Sequence, residues 1–390
     1  MTLIKRITIV VLIVAVFGIG FFFGKTQNSK IVTQPEDVNF SLFWEAWNLV
    51  KQRYVEPEEI NNQDMVYGSI AGMVESLEDP YTVFFQPDET EKFLEDVTGR
   101  FEGVGMEIGI RKGNLQVIAP LEGTPAKRAG LRPGDIIVTI DEESARDITI
   151  EEAVSLIRGP KGTEVTLGVV RDDWPTPKEF KIERAVIEVP SLKWELIDGN
   201  IAHINLYHFS EKATADFKAA SMEILNSGAD RIILDLRSNP GGYLEVAQDI
   251  AGWFLEKESV VVVEDFGSID TKQIYKAEGN SRFLNYPLVV LVNQGSASAS
   301  EILAAALRDN REVPLVGETS FGKGSVQQLQ KLSDGSSIKI TIARWLTPSG
   351  KLIKDIGLKP DYRVEITEED LQEDKDPQLE KAIELIKDLR

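Results

Sequence analysis

Three serines, one lysine and one glutamine set the chemistry that this chain can attempt. Ser296, Ser298 and Ser300 fall in the run from Asn293 to Glu301, behind the apolar stretch Leu288 to Val292 and ahead of a helix-like stretch, Ile302 to Leu307. Apolar and β-branched residues, then small polar ones, then a helical pattern predict a strand, a sharp turn and a helix. The first N–H groups of such a helix have no partner inside it. They face the turn together with the positive end of the helix dipole, which suits a developing negative charge. A serine at that point is a nucleophile if a base reaches it, and a helix cap if none does. Spacing alone does not choose among the three.

The base has to come from elsewhere. A Ser-His-Asp site needs histidine, and the chain has only His203 and His208. They lie five apart in one predicted strand and so face opposite sides, which reads as one packed and one solvated residue and argues against a histidine metal site. Lysine is the alternative, provided burial or a nearby positive group lowers its pKa. Lys323 stands between Gly322 and Gly324, near Phe321 and Val326, and Gln327 is four residues on. Glutamine there is able to hold an amine in line without a charge that would raise its pKa. The run Gly317 to Lys323 also approaches a phosphate loop. Gly324, however, stands where that loop needs Ser or Thr, and strands rather than a helix follow.

The chain has 390 residues, 42% of them hydrophobic, a formal net charge of -20 and no cysteine. That length allows two or three domains. The charge argues against nucleic-acid partners, and the absence of cysteine excludes disulfides, thiolate zinc sites and a cysteine nucleophile. No cofactor and no metal site is expected. Ile7 to Gly24 is apolar apart from Thr8 and lies between Lys5-Arg6 and Lys25. About 18 such residues are enough for a span, and no small-x-small cleavage pattern follows, so an uncleaved anchor is expected rather than a signal peptide. The basic start would stay in the cytoplasm and the remainder outside a bacterial cell membrane, single-pass.

Residues 1–25 therefore read as cytoplasmic start and anchor, followed by a helical module over 35–100. Its helices run from Phe40 to Arg53, from Asn61 to Leu77 with Asn62 or Asp64 as cap, and from Pro87 to about Val97. The aromatics of the first are too many for a small module to bury alone. They are expected to pack on a neighbouring domain or on another subunit, the latter as a homodimer or other oligomer through the N-terminal helices and a closing helix, Gln378 to Leu389. From Phe101 to Arg184 short glycine-bounded strands and two helices resemble a PDZ domain, above all in Ala129-Gly130-Leu131-Arg132-Pro133-Gly134-Asp135-Ile136-Ile137. The resemblance implies that the loop Gly103-Val104-Gly105-Met106 receives the carboxylate of a chain terminus beside an open sheet edge. Arg158, at the domain's edge before the Gly159-Pro160 turn, reads as a regulatory residue or as a solvated surface arginine, and the connections to the domain lie near Gly99–Gly103 and Arg184–Pro190. Residues 185–365 alternate strands (from Ile201, Arg231, Val260, Leu288 and Val313) with helices, the pattern of an α/β core with a parallel sheet. An acidic linker and the closing helix make up 366–390.

Three motifs together bring the family into view. Asn293-Gln294-Gly295-Ser296-Ala297-Ser298-Ala299-Ser300-Glu301, Phe321-Gly322-Lys323-Gly324-Ser325-Val326-Gln327 and Leu234-Asp235-Leu236-Arg237-Ser238-Asn239-Pro240-Gly241-Gly242, with a PDZ-like domain ahead of the core, resemble the carboxyl-terminal processing proteases. The resemblance runs from about Phe40 to the end; Ile201-Ala202-His203 departs from it where the family often has a Gly-Tyr pair. It implies Ser298 as nucleophile, Lys323 as general base and Gln327 as its orienting partner. The oxyanion donors would be the N–H groups of Ala299 and of a glycine in the pair Gly241-Gly242. It further implies a serine endopeptidase that cuts protein substrates near their C-termini, with the PDZ-like domain binding the tail and gating activity. The rival from another class is a PDZ adaptor with an inactive core.

Overall fold

A computed structural model describes residues 38–389, apart from 112, 122, 147, 172–173, 268–271, 355, 368, 371–372 and 374. The apolar segment expected to cross the membrane, Ile7 to Gly24, lies outside the described residues. Among those described, no helix is long and apolar enough to span a bilayer. The chain divides into two compact units at Gly68 and Ser69.

In the first unit the helix Ser41–Arg53 buries none of its residues. Its rings form their own cluster, with Phe43 5.0 Å from Trp44 and 5.9 Å from Trp47. Phe40, Leu42, Trp44, Leu49 and Val50 remain exposed. A second helix, Asn62–Glu75, starts here and runs into the next unit. Its cap is earlier than either expected position, by one residue from Asn62 and three from Asp64: Asn61 Oδ1 accepts the Gln63 N–H at 2.8 Å, because the chain turns helical directly after Asn61.

The second unit is built on a six-stranded sheet. Leu192–Ile197 runs antiparallel at one edge, followed by the parallel strands Ile201–Leu206, Arg231–Asp235, Leu288–Val292, Leu315–Gly317 and Tyr362–Arg363. The central strand Leu288–Val292 is buried throughout, as a strand covered on both faces must be. The helices Ala213–Leu225, Leu244–Phe254 and Ala299–Arg311 pack on one face around Phe209, Phe217, Phe254 and Phe283. The closing helix, Pro377–Asp388, covers the other, with Ala382 and Ile386 against Ile233, Val289 and Leu291. Its apolar face is thus taken up within the chain.

One strand expected in this sheet belongs elsewhere. Val260–Asp265 lies in a second, antiparallel sheet, paired with Lys272–Lys276 and with the end of the long strand Ser337–Leu346. The long strand is the reason. It also pairs with Ser325–Lys331, its hairpin neighbour, and, at its start, with Val83–Phe85, so it recruits neighbours from two distant parts of the chain as well. Val83–Phe85 comes from the segment read as purely helical.

The PDZ-like region forms its own barrel around Val117, Leu131, Ile137, Val165 and Leu167. Its strands are ordered Met106–Arg111, Asn114–Pro120, Ile136–Ile140, Glu164–Val170 and Lys178–Glu183. The strands entering and leaving it, Arg100–Gly103 and Ala185–Glu188, pair with each other. The two connections therefore lie side by side as one two-stranded ribbon.

Candidate active site

The carboxyl ends of the parallel strands Arg231–Asp235 and Leu288–Val292 deliver two loops side by side, the usual place for a site in such a sheet. Hydrogen bonds lace the loops together. Asn293 Oδ1 accepts the N–H of Ser238 at 2.7 Å and of Gly295 at 3.0 Å, and the Ala297 N–H donates to the Asn239 carbonyl at 3.0 Å. The base of the first loop is braced by Asp235. This carboxylate accepts from Arg237, whose guanidinium also reaches Asp376, and stands 3.2 Å from His203 Nε2. Burial alone would raise the Asp235 pKa, but the bonds from His203 and Arg237 outweigh it and hold it below the ordinary value.

The lacing separates the three serines. Ser296 Oγ donates to the Leu236 carbonyl at 2.8 Å and Ser300 Oγ to the Asn239 carbonyl at 2.9 Å. Both residues are 0% exposed. Ser298 is half-buried and precedes the helix Ala299–Arg311 with φ 55° and ψ -116°. That left-handed backbone is costly for a residue with a Cβ. It is the conformation of a sharp strand-to-helix turn that lifts a side chain out of the fold.

Gly241 comes right up to this turn. A Cβ at Gly241 would lie 2.7 Å from Ser298 Cβ and 2.9 Å from the Ala299 nitrogen, so only glycine fits. Its own N–H is engaged by Asn239 Oδ1 at 2.9 Å. The Gly241 carbonyl and the Tyr243 N–H both bond to Phe209.

Glu301 joins the serine turn to the lysine loop. It is 1% exposed and accepts four donors. Oε2 takes the N–H of Ser298 and of Lys323, both at 3.1 Å. Oε1 takes Ser320 Oγ–H at 2.6 Å and the Gly322 N–H at 2.7 Å. Burial pushes its pKa up and these four bonds pull it back, leaving it raised. Only an acceptor-only, two-oxygen group satisfies this set. Sequence reading passed over Glu301, although Glu three residues after a helix-capping serine is a capping-box signal.

Lys323 is half-buried. Burial lowers its pKa from the ordinary 10.5, the Lys339 charge lowers it further, and the Glu301 charge opposes them. Its Nζ lies 5.8 Å from the centroid of the Tyr81 ring. Among the described residues no hydrogen bond joins Lys323 Nζ to Ser298 or to Gln327. Gln327 Nε2 instead donates to Ser325 Oγ at 2.7 Å and Thr341 Oγ1 at 3.4 Å. His203 is buried in its strand. His208 lies past the strand's end at Leu206 and not within it, because the chain leaves the sheet there.

In the PDZ-like barrel, Val104, Gly105 and Met106 line a groove with Phe101, Ile108, Val154, Ile157 and Arg158. Gly103 sits just outside, paired with Ala185 in the connecting ribbon. Gly105 has φ 77°, and a Cβ there would fall 2.5 Å from Thr124 Cβ. Arg158 is held at the groove's rim. Its guanidinium lies 4.4 Å over the Phe101 ring and 3.2 Å from Glu95 Oε2 on the helix Pro87–Thr98.

Comparison with known proteins gives three family matches: peptidase family S41 over residues 200–364, a PDZ domain over 116–171, and the N-terminal domain of the activating protease CtpB over 24–90. The carboxy-terminal processing protease CtpA of Bacillus subtilis is 36% identical over 93% of this chain and 77% of its own length. The carboxyl-terminal-processing protease of Synechocystis is 37% identical over 93% and 87%. The solved photosystem II D1 C-terminal processing protease superposes with a TM-score of 0.51 at 29% identity, covering 83% of this chain and 92% of that one.

Glu301→Gln tests the clamp. An amide places an N–H₂ group against donors at either oxygen, so it should destabilise the chain by about 2 kcal/mol. Urea unfolding reads this directly, and an unchanged midpoint would mean that the carboxylate is not the shared acceptor.

Proposed function

The chain belongs to peptidase family S41, the carboxy-terminal processing proteases, and we propose that it carries out serine peptidase chemistry with Ser298 as nucleophile and Lys323 as general base. One observation carries this reading. Of the three serines only Ser298 stands on the strained turn, clear of the hydrogen bonds that engage Ser296 and Ser300, and one buried carboxylate ties its backbone to that of Lys323. In the proposed sequence Ser298 Oγ attacks the scissile carbonyl while the neutral Lys323 amine takes its proton. The resulting ammonium returns the proton to the leaving amine, and water then releases the acyl group by the same route. The Ala299 N–H, first in its helix, and the Gly242 N–H are the proposed oxyanion donors; Gly241 supplies close approach instead.

Ser298→Ala and Lys323→Ala should each lower turnover by several orders of magnitude while the fold is retained. Gln327→Ala should keep residual activity. Because only the neutral amine accepts a proton, kcat should rise with pH along an acid limb lying below the ordinary lysine value of 10.5. Cleavage of a reporter peptide across neutral to alkaline pH checks both points. Near-normal turnover in Lys323→Ala would discard the lysine base.

The groove at Val104–Met106 supports capture of a substrate's C-terminal tail by backbone N–H groups and strand addition. We propose that tail binding also gates the site. Gln327 is bonded to Ser325 and Thr341, so holding Lys323 requires a rearrangement. The ribbon Arg100–Gly103 with Ala185–Glu188 and the Arg158–Glu95 pair connect the groove's domain to the remainder of the unit. A ligand shifts such an equilibrium only by its differential affinity for the two arrangements. An uncleavable tail peptide added in trans should therefore raise kcat on a short reporter; a response confined to inhibition would reduce the domain to a tether.

Ile7 to Gly24 is proposed to anchor the protease in a bacterial cell membrane with the catalytic unit outside the cytoplasm. The full chain should then stay in the pellet on carbonate extraction. A mature N-terminus just after the apolar run would replace the anchor by a signal peptide.

A further inference from the structure

The turn Asp79-Pro80-Tyr81-Thr82 has no role in the chemistry derived above, yet it lies against the lysine. We propose that this turn, contributed by the segment ahead of the PDZ-like domain, is a wall of the active site in which Tyr81 is a positioning residue that keeps water from Lys323. The proposal rests on the reading of Lys323 as the base.

The turn is held from both sides. Asp79 Oδ1 accepts the Tyr81 N–H at 3.2 Å and Oδ2 accepts Thr82 Oγ1–H at 2.6 Å. Thr82 Oγ1 in turn accepts the Thr341 N–H at 3.0 Å, and Thr341 Oγ1 accepts Gln327 Nε2 at 3.4 Å. Immediately after the turn, Val83–Phe85 pairs with the start of the strand Ser337–Leu346, placing Val83 opposite Lys339. The Tyr81 ring is thereby fixed 5.8 Å from Lys323 Nζ, and the same bonds run on to Gln327.

At this separation, near the outer limit of about 6 Å for cation–π attraction, the ring's pull on an ammonium is weak. Its bulk against a half-buried amine matters more, because excluded water favours the neutral form. The other charged groups facing the amine are Lys339 on the long strand, which lowers its pKa, and Glu301 on the serine helix, which raises it. Asp79 lies beside Lys339 and also feels Lys354. None of these belongs to the Tyr81 side chain, so changing the ring leaves them in place.

The test measures the pH dependence of kcat with the reporter peptide for full-length wild type, Tyr81→Ala and Tyr81→Leu. Tyr81→Ala admits water and should move the acid limb up by about one pH unit, which is about tenfold in rate below the limb, with KM unchanged. Tyr81→Leu keeps the site dry without the ring and should leave the limb at or below its wild-type position. A residue that only supported the fold would lower the melting temperature and the active fraction without moving the limb. An unmoved limb in Tyr81→Ala overturns the proposal. If that variant does not fold, an upward shift in Tyr81→Leu overturns it equally, since dryness is retained there. Lys323→Ala separates the two readings. Turnover in that variant removes the lysine base itself, whereas its inactivity together with an unmoved Tyr81→Ala limb removes only the role of Tyr81.

Discussion

The site depends on a carboxylate that water does not reach. Glu301 projects from the first turn of the serine helix, and its two oxygens gather donors from the serine turn and from the lysine loop. These segments lie more than twenty residues apart in sequence, but they leave the paired strands Leu288–Val292 and Leu315–Gly317, and the Phe321 N–H donates to the Ser296 carbonyl at 3.0 Å. A carboxylate with four donors then locks the two together, since a buried charge is stable only when its acceptor sites are filled. The same negative charge favours the protonated form of Lys323. What holds the lysine loop in place thus works against the neutrality that a base requires.

Other parts of the fold oppose that cost. Burial lowers the Lys323 pKa, and Lys339 adds a like charge. Lys339 is itself set over the Phe85 and Phe93 rings, 5.2 Å from each centroid. The lysine's surroundings are therefore assembled from the serine helix, the long antiparallel strand and the segment ahead of the PDZ-like domain. Three parts of the chain meet there because Ser337–Leu346 pairs with strands from all over the second unit. Gln327, proposed as the orienting partner, is bonded to Ser325 and Thr341, and among the described residues the PDZ-like domain meets the rest of the unit through the paired strands Arg100–Gly103 and Ala185–Glu188 and the Arg158–Glu95 pair.

Much of the architecture was legible from the chain alone. Leu288 to Val292 reads as a buried strand because nothing in it tolerates water, and the spacing of Leu379, Ile383 and Ile386 marks a helix with one apolar face. Glycine and proline punctuate the barrel where the backbone must turn. Two histidines and no cysteine leave serine with a lysine base as the expected chemistry, without choosing among Ser296, Ser298 and Ser300. All of this is local: periodicity and backbone preference act within a few residues.

Partners distant in sequence were a different matter. Val260–Asp265 reads like the other apolar strands, yet its neighbour is Trp345 rather than the parallel sheet. Ser296, Ser298 and Ser300 are equivalent by spacing. They differ only because the Leu236 and Asn239 carbonyls, 60 and 61 residues away, come within reach of two of them. Glu301 and Tyr81 take on a role only when the fold sets the lysine loop against the one and Lys323 beside the other. The amino-acid sequence by itself determined which groups are available and which short segments are strands, turns or helices. Tertiary structure decided which serine stands clear, which carboxylate joins the loops and what shields the amine, because hydrogen bonds and desolvation depend on where strand ends converge, and that is a property of the whole sheet.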